Sequence, residues 1–285
     1  PTGTITINNS GIINAEGIST GATPSHSIGI YTDVAEIVNT GSINVGTDGI
    51  GIYSANSGKS VQNDTMIMTG TGGIGVYLKD AITGLASNNI ISTSSRNTGV
   101  VLEGVTSNIN AGTVTLGDES VGVMAVSGTT SAIDGTIKVG ASSSDKSAIG
   151  VVVKGGSNAV LTGTALITAG TSGIGVYAEG AGTTVVVSNA GNISVGTDGI
   201  YMYSKGATLN FSGNITANNQ TGIVAEGGTI NAMGASTITV QNGGVGAYVK
   251  GAAPSFGTTT IDVQTGTSSI YSMGVYYDGV SSIGT

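Results

Sequence analysis

Carboxylates are the side chains in this sequence best suited to catalysis. Enzymes that cut polysaccharides on repetitive β folds set two or three acids on one face, with a base or a metal beside them. Asp48 and Asp198 stand in identical Gly-Thr-Asp-Gly-Ile segments. Asp recurring in one tight-turn context has a local reason to be there, because its carboxylate bonds to the backbone of its own turn. The pair therefore reads as structural, and no catalytic residue is assigned. His26 is the single histidine and lies in Pro24-Ser25-His26, where the sequence offers no ligand partner. The chain has no cysteine, which removes disulfides and thiolate metal sites. No calcium-binding nonapeptide array is present, and neither a cofactor nor a metal is expected.

Two other series recur at regular spacing. Tyr31, Tyr53 and Tyr77 form one run, and Tyr177, Tyr203, Tyr248 and Tyr276 another. Tyrosine offers rigid amphipathic area at low entropic cost, so such a stripe could stack on sugar rings or dock a protein. The plain alternative is that the rings stack only on one another. The second series is charged: Lys154, Glu179, Lys205, Glu226, Lys250 and Asp278 alternate in sign without a break, as do Lys79 and Glu103.

Both series belong to a repeat. An apolar leader, usually Gly, an aliphatic, often Tyr, a small residue and often a charge recur eleven times, from Ile28-Gly29-Ile30-Tyr31 to Met273-Gly274-Val275-Tyr276. The steps run from 21 to 28 residues and centre near 24. A second strand of the form Gly-x-Ile-x-Val accompanies it, clearest at Gly41 to Val45 and Gly191 to Val195, with Asn9, Asn39 and Asn189 each two residues before the glycine. Two or three short alternating strands per repeat, with no ten-residue helical stretch, fit one winding of a parallel β-helix.

Composition agrees. Fifty glycines, three prolines and 8% charged residues describe short strands joined by tight turns, while 39% hydrophobic residues, regularly placed, argue against disorder. A formal charge of −8 with eight scattered basic residues disfavours nucleic acid as a partner. No apolar run is long enough to span a bilayer as a helix.

Strict alternation assigns the faces. The charged position must point out, so the Gly and Tyr columns are expected outward, and the leader, the aliphatic and the small residue inward. Stacked coils place the charged heads roughly 4.8 Å apart, making the alternation a ladder of attractions that also opposes a slip by one coil. Longer coils hold the Ala141 to Ser147 and Gly251 to Gly257 loops, where extra residues project. The expected fold is a right-handed parallel β-helix of about eleven or twelve coils. PTGTITINN and YYDGVSSIGT start and stop in mid-pattern, so residues 1–285 are read as a single segment of a longer chain.

The GIGVY, NTGSINVGTDGIGIY and SNAGNISVGTDGIYMY segments resemble the passenger regions of very large type V autotransporter adhesins, particularly the fusobacterial RadD-like group. The likeness covers the whole chain. It implies secretion through an outer-membrane barrel, display on the bacterial cell surface, and attachment without catalysis to a host-cell receptor or glycan, or to a surface protein of another bacterium. Anchoring would fall to a barrel domain that this chain does not include. An inert stalk raising a distal binding tip is the alternative, and a polysaccharide-processing β-helix or phage tailspike a second.

Overall fold

Short β-branched strands separated by glycine turns cannot bury an apolar face singly, but each gains one when the next winding stacks on it. The computed structural model describes residues 5–15, 27–55, 58–68, 70–86, 88–264 and 271–279, and it is a β-solenoid of parallel strands. The leader motif forms the first face, an eleven-stranded sheet from Ile28–Thr32 to Met273–Asp278 in which every neighbour is one repeat away. Eleven strands delimit about ten windings, slightly fewer than the eleven or twelve expected.

Each winding continues through two further faces. Asn158–Leu161, Thr184–Val187 and Thr208–Phe211 illustrate the second, which the sequence pattern had not separated out. Leu166–Ala169 and Ile193–Val195 belong to the third, the strand read as Gly-x-Ile-x-Val. In earlier windings the two run together, as in Glu36–Val45 and Ile109–Thr115, and bend where the register shifts, between Asn39 and Ser42 and between Asn110 and Thr113. Among the described residues a single 3₁₀ turn, Ala190–Asn192, is capped by Asn189, whose Oδ1 accepts from the Gly191 N–H at 3.1 Å.

The third face bears out its expected sides: Ile43, Val45, Ile193 and Val195 are buried, while the Asn44 amide donates outside to Asn14 at 2.7 Å. On the first face the alternation fails at one point, and two columns exchange sides. The glycines face in and the leaders face out. A Cβ on Gly75 would lie 2.6 Å from the Gly99 carbonyl oxygen and 2.6 Å from the Ile90 side chain of the third face. Its neighbours along the column, from Gly29 to Gly274, would likewise meet third-face side chains. Gly and the following aliphatic therefore both turn inward. The leaders, displaced by that bend, are half-exposed or, like Ile28 and Met273, exposed, with Ile174 the buried exception.

Buried polar ladders pin two corners. Asn9 donates to Asn39 at 2.6 Å, Asn39 to Asn63 at 2.7 Å, Asn63 to Asn88 at 3.1 Å, and Asn88 to the Ala111 carbonyl at 2.9 Å. Asn39 and Asn63 have no solvent exposure, so each amide is satisfied only by the coil above and the coil below. At the corner between the first and second faces, Thr129, Ser157 and Thr183 are buried, and Ser157 Oγ accepts from the Thr129 N–H at 3.1 Å.

One winding departs from the rule. Ile200-Tyr201-Met202-Tyr203 carries tyrosine where every neighbour carries glycine. Tyr201 is buried at 8% exposure and donates to the Thr216 carbonyl at 2.7 Å across the core. At this level the third-face ladder is interrupted: Ile193–Val195 pairs with the strand before it, whereas Ile215–Asn218 begins a separate three-stranded sheet. Gln220 spans the break, donating to the Val195 carbonyl at 2.7 Å and accepting from the Asn218 N–H at 3.1 Å. Side chains thus satisfy backbone groups that a ladder would otherwise pair.

Candidate functional site

The site is built on the outer side of the first face. Strand pairing puts Lys154, Glu179, Lys205, Glu226, Lys250 and Asp278 in one vertical column, each beside the next in register, and Lys79 beside Glu103. Lys79 reaches Glu103 at 3.1 Å, Lys205 reaches Glu179 at 3.5 Å, and Lys250 reaches Asp278 at 3.7 Å. Lys205 and Lys250 are more than half exposed, so each pair adds little stability in water.

The tyrosines occupy the column beside the charges. Tyr31 stacks on Tyr53 at 5.4 Å between ring centres, and Tyr53 on Tyr77 at 5.0 Å. Tyr248 stacks on Tyr276 at 5.3 Å, while Tyr177 meets Tyr203 edge-on at 5.2 Å. Val101, Met124 and Val152 separate the two runs, and Val224 interrupts the second. Mutual stacking is therefore real, and it spends ring faces on one another.

Tyrosine and charge columns are coupled in a way spacing alone did not reveal. Tyr77 donates to Glu103, and Tyr203 donates to Glu226 at 2.8 Å, each one coil on. Burial, followed by the Glu103 hydrogen bond, pushes the Tyr77 hydroxyl well up. Burial and the Glu226 hydrogen bond push Tyr203 up to about 12; burial and nearby carboxylates do the same for Tyr177. Glu103 is held below the usual carboxylate range, chiefly by the bond from Tyr77.

Because the leaders face out, the tyrosine column has an apolar companion that strict alternation had assigned to the core. The two columns form one stripe along the solenoid, bordered by the charges. It dips at Thr221 and Val224, and a groove of about 340 Å³ runs from there past Val245, Tyr248, Met273 and Tyr276.

Elsewhere, Asp48 and Asp198 take positive φ, 53° and 58°, at equivalent corners of their windings, as turn residues do. The same corner holds an ion pair the sequence reading missed, Arg96 with Glu119 at 2.8 Å, both also at positive φ. Among the described residues, no three of His, Cys, Asp and Glu converge to hold a metal. His26 lies outside the described residues. The chain matches no family model, and neither the curated proteins nor the solved structures give a match.

Proposed function

We propose that this chain is a non-enzymatic segment of a bacterial cell-surface adhesin, displayed outside the cell and using its first face to hold a host-cell receptor or glycan, or the surface of another bacterium. The observation that carries the reading is the outward stripe of leaders and tyrosines, in two runs, beside a charged ladder. Contiguous apolar surface rimmed by charge is costly to leave in water and marks interaction sites. Aromatic rings at its centre supply contact area, and the charges beside them supply orientation. Ring faces already stacked on one another favour a protein partner over a sugar stacked on ring faces.

The inert-stalk reading has one observation in its favour, the mutual stacking of the rings, which gives them a purely structural use. A screen of the isolated chain against host cells, bacterial cells, glycans and receptors separates the two. Adhesion predicts binding that falls when Tyr177, Tyr203 and Tyr248 are changed to Ala while circular dichroism stays unchanged. A folded chain that retains nothing in the screen would count for the stalk.

A further inference from the structure

We propose that the first face pairs with the first face of a second copy of this chain, with the two solenoids antiparallel. This names a partner for the surface proposed above and rests on that reading. The argument begins with the sign sequence of the ladder. Six charges that alternate strictly, from Lys154 to Asp278, change sign at every place when read backwards. A two-fold axis lying along the strand direction, midway between the coils of Lys205 and Glu226, sets charge column against charge column with the order reversed. Lys154 of one copy then meets Asp278 of the other, Glu179 meets Lys250, and Lys205 meets Glu226. All six contacts join opposite charges. An axis passing through a coil instead of between two would oppose like charges, so the ladder selects register as well as orientation.

Side-chain size follows the same axis independently. Ile200 and Tyr203 stand out from one coil, and the next is low at Thr221 and Val224, where the groove begins. The axis lays Ile200 and Tyr203 of each copy over Thr221 and Val224 of the other. Val152 comes opposite Tyr276 in the same way. Large residues thus meet small ones where the surface dips, Tyr177 of each copy meets Tyr248 of the other ring to ring, and the pairing is isologous. Six coils give a strip about 29 Å long. Both copies together would bury on the order of 1,000 Å², the low end for specific interfaces and suited to reversible pairing.

Sedimentation velocity of the 285-residue chain over a concentration series tests this. One copy is expected to give way to two at low salt, with the shift lost toward about 1 M salt, where charges are screened within about 3 Å. The decisive variant inverts the whole ladder: Lys154→Glu, Glu179→Lys, Lys205→Glu, Glu226→Lys, Lys250→Glu and Asp278→Lys. It keeps alternation within its own solenoid, so it should fold and pair with itself. Against the native chain every contact becomes like against like, and mixed pairs, read by energy transfer between labelled copies, should form at least about tenfold more weakly. Tyr203→Ala should weaken native self-pairing by a similar factor. Free mixing of inverted and native chains, or a single copy at every concentration, would overturn the proposal. A chain that stays single yet binds cells through the same tyrosines would overturn self-pairing and leave the adhesive reading standing; one that does neither would remove both.

Discussion

The hydroxyl of Tyr203 donates to the Glu226 carboxylate of the following coil at 2.8 Å, tying the aromatic column to the charged one across a strand boundary. Tyr77 and Glu103 repeat the arrangement near the other end. Such bonds need a neutral phenol and are strongest to an ionised carboxylate. Raising a phenol's pKa on folding means that the stability it contributes is complete below the unfolded value, near 10, and is lost as pH rises through the folded one. For Tyr177 and Tyr203 that window lies between about 10 and 12. Ultraviolet titration of the folded chain should therefore show these two and Tyr77 ionising above the ordinary phenol value. Ionisation of Tyr203 at the ordinary phenol value would rule the contact out. At the acid end the sign reverses: the Glu103 contribution is present above its ordinary pKa and fades as pH falls through the depressed one.

The inward glycine column predicts a sharp contrast between two Gly→Ala changes. At Gly150 the added methyl would stand 2.6 Å from the Gly175 carbonyl oxygen and run into the Ile167 side chain, whereas at Gly163 nothing lies within 4 Å. Gly150→Ala should cost about 1–3 kcal/mol through overpacking, and Gly163→Ala should change stability by less than about 0.5 kcal/mol. Denaturant unfolding of the two variants measures the difference, and equal midpoints would return the glycines to the outer surface.

Asn63 is fully buried in the amide ladder, accepting from Asn39 and donating to Asn88. Asn63→Ala removes the acceptor of Asn39 and the donor to Asn88 and the Asn89 carbonyl at a fully buried position, and should destabilise by about 2–3 kcal/mol. Asn63→Asp should be worse at neutral pH, because a carboxylate has no proton to give Asn88 and is buried charged. Thermal melts of both at pH 7 and near pH 4, where the Asp variant should partly recover, check the order.

Tyr201 and Gln220 predict a localised loss. Tyr201→Phe keeps the ring and removes the bond to the Thr216 carbonyl, a change of about 1–2 kcal/mol. Gln220→Ala frees both the Val195 carbonyl and the Asn218 N–H. Hydrogen exchange should quicken at Asn218 in that variant while amides in Val121–Val126 keep native rates; uniform quickening would deny the side chains their bridging part.

Period and strand type made the solenoid legible, because a core shared between windings forces similar residues to return near every 24 positions. The charge ladder was legible for the same reason, as neighbours such as Glu179 and Lys205 occupy equivalent places in the motif. What parity could not deliver was the local break at glycine. Ile50 and Ile52 look equivalent to a period-two rule, yet Ile52 is buried and Ile50 half-exposed, because Gly51 turns inward beneath Met66 of the third face. A residue without a side chain carries no mark of the side it faces. The amide ladder was half visible: Asn9 and Asn39 precede glycines, but Asn63 and Asn88 do not share that context. The Tyr201 wedge had a signal, one large residue in a column of glycines, whose meaning depended on an interruption two faces away.

The interruption beside Tyr201 also bears on mechanics. A rod whose three walls are laced along their length resists bending equally well from any side, but here one wall is stitched by two side chains in place of a continuous seam. Load applied along the rod should open that wall first and flex the solenoid about the two intact ones. A thin solenoid with such a joint can yield under shear and return, without any of its windings coming undone.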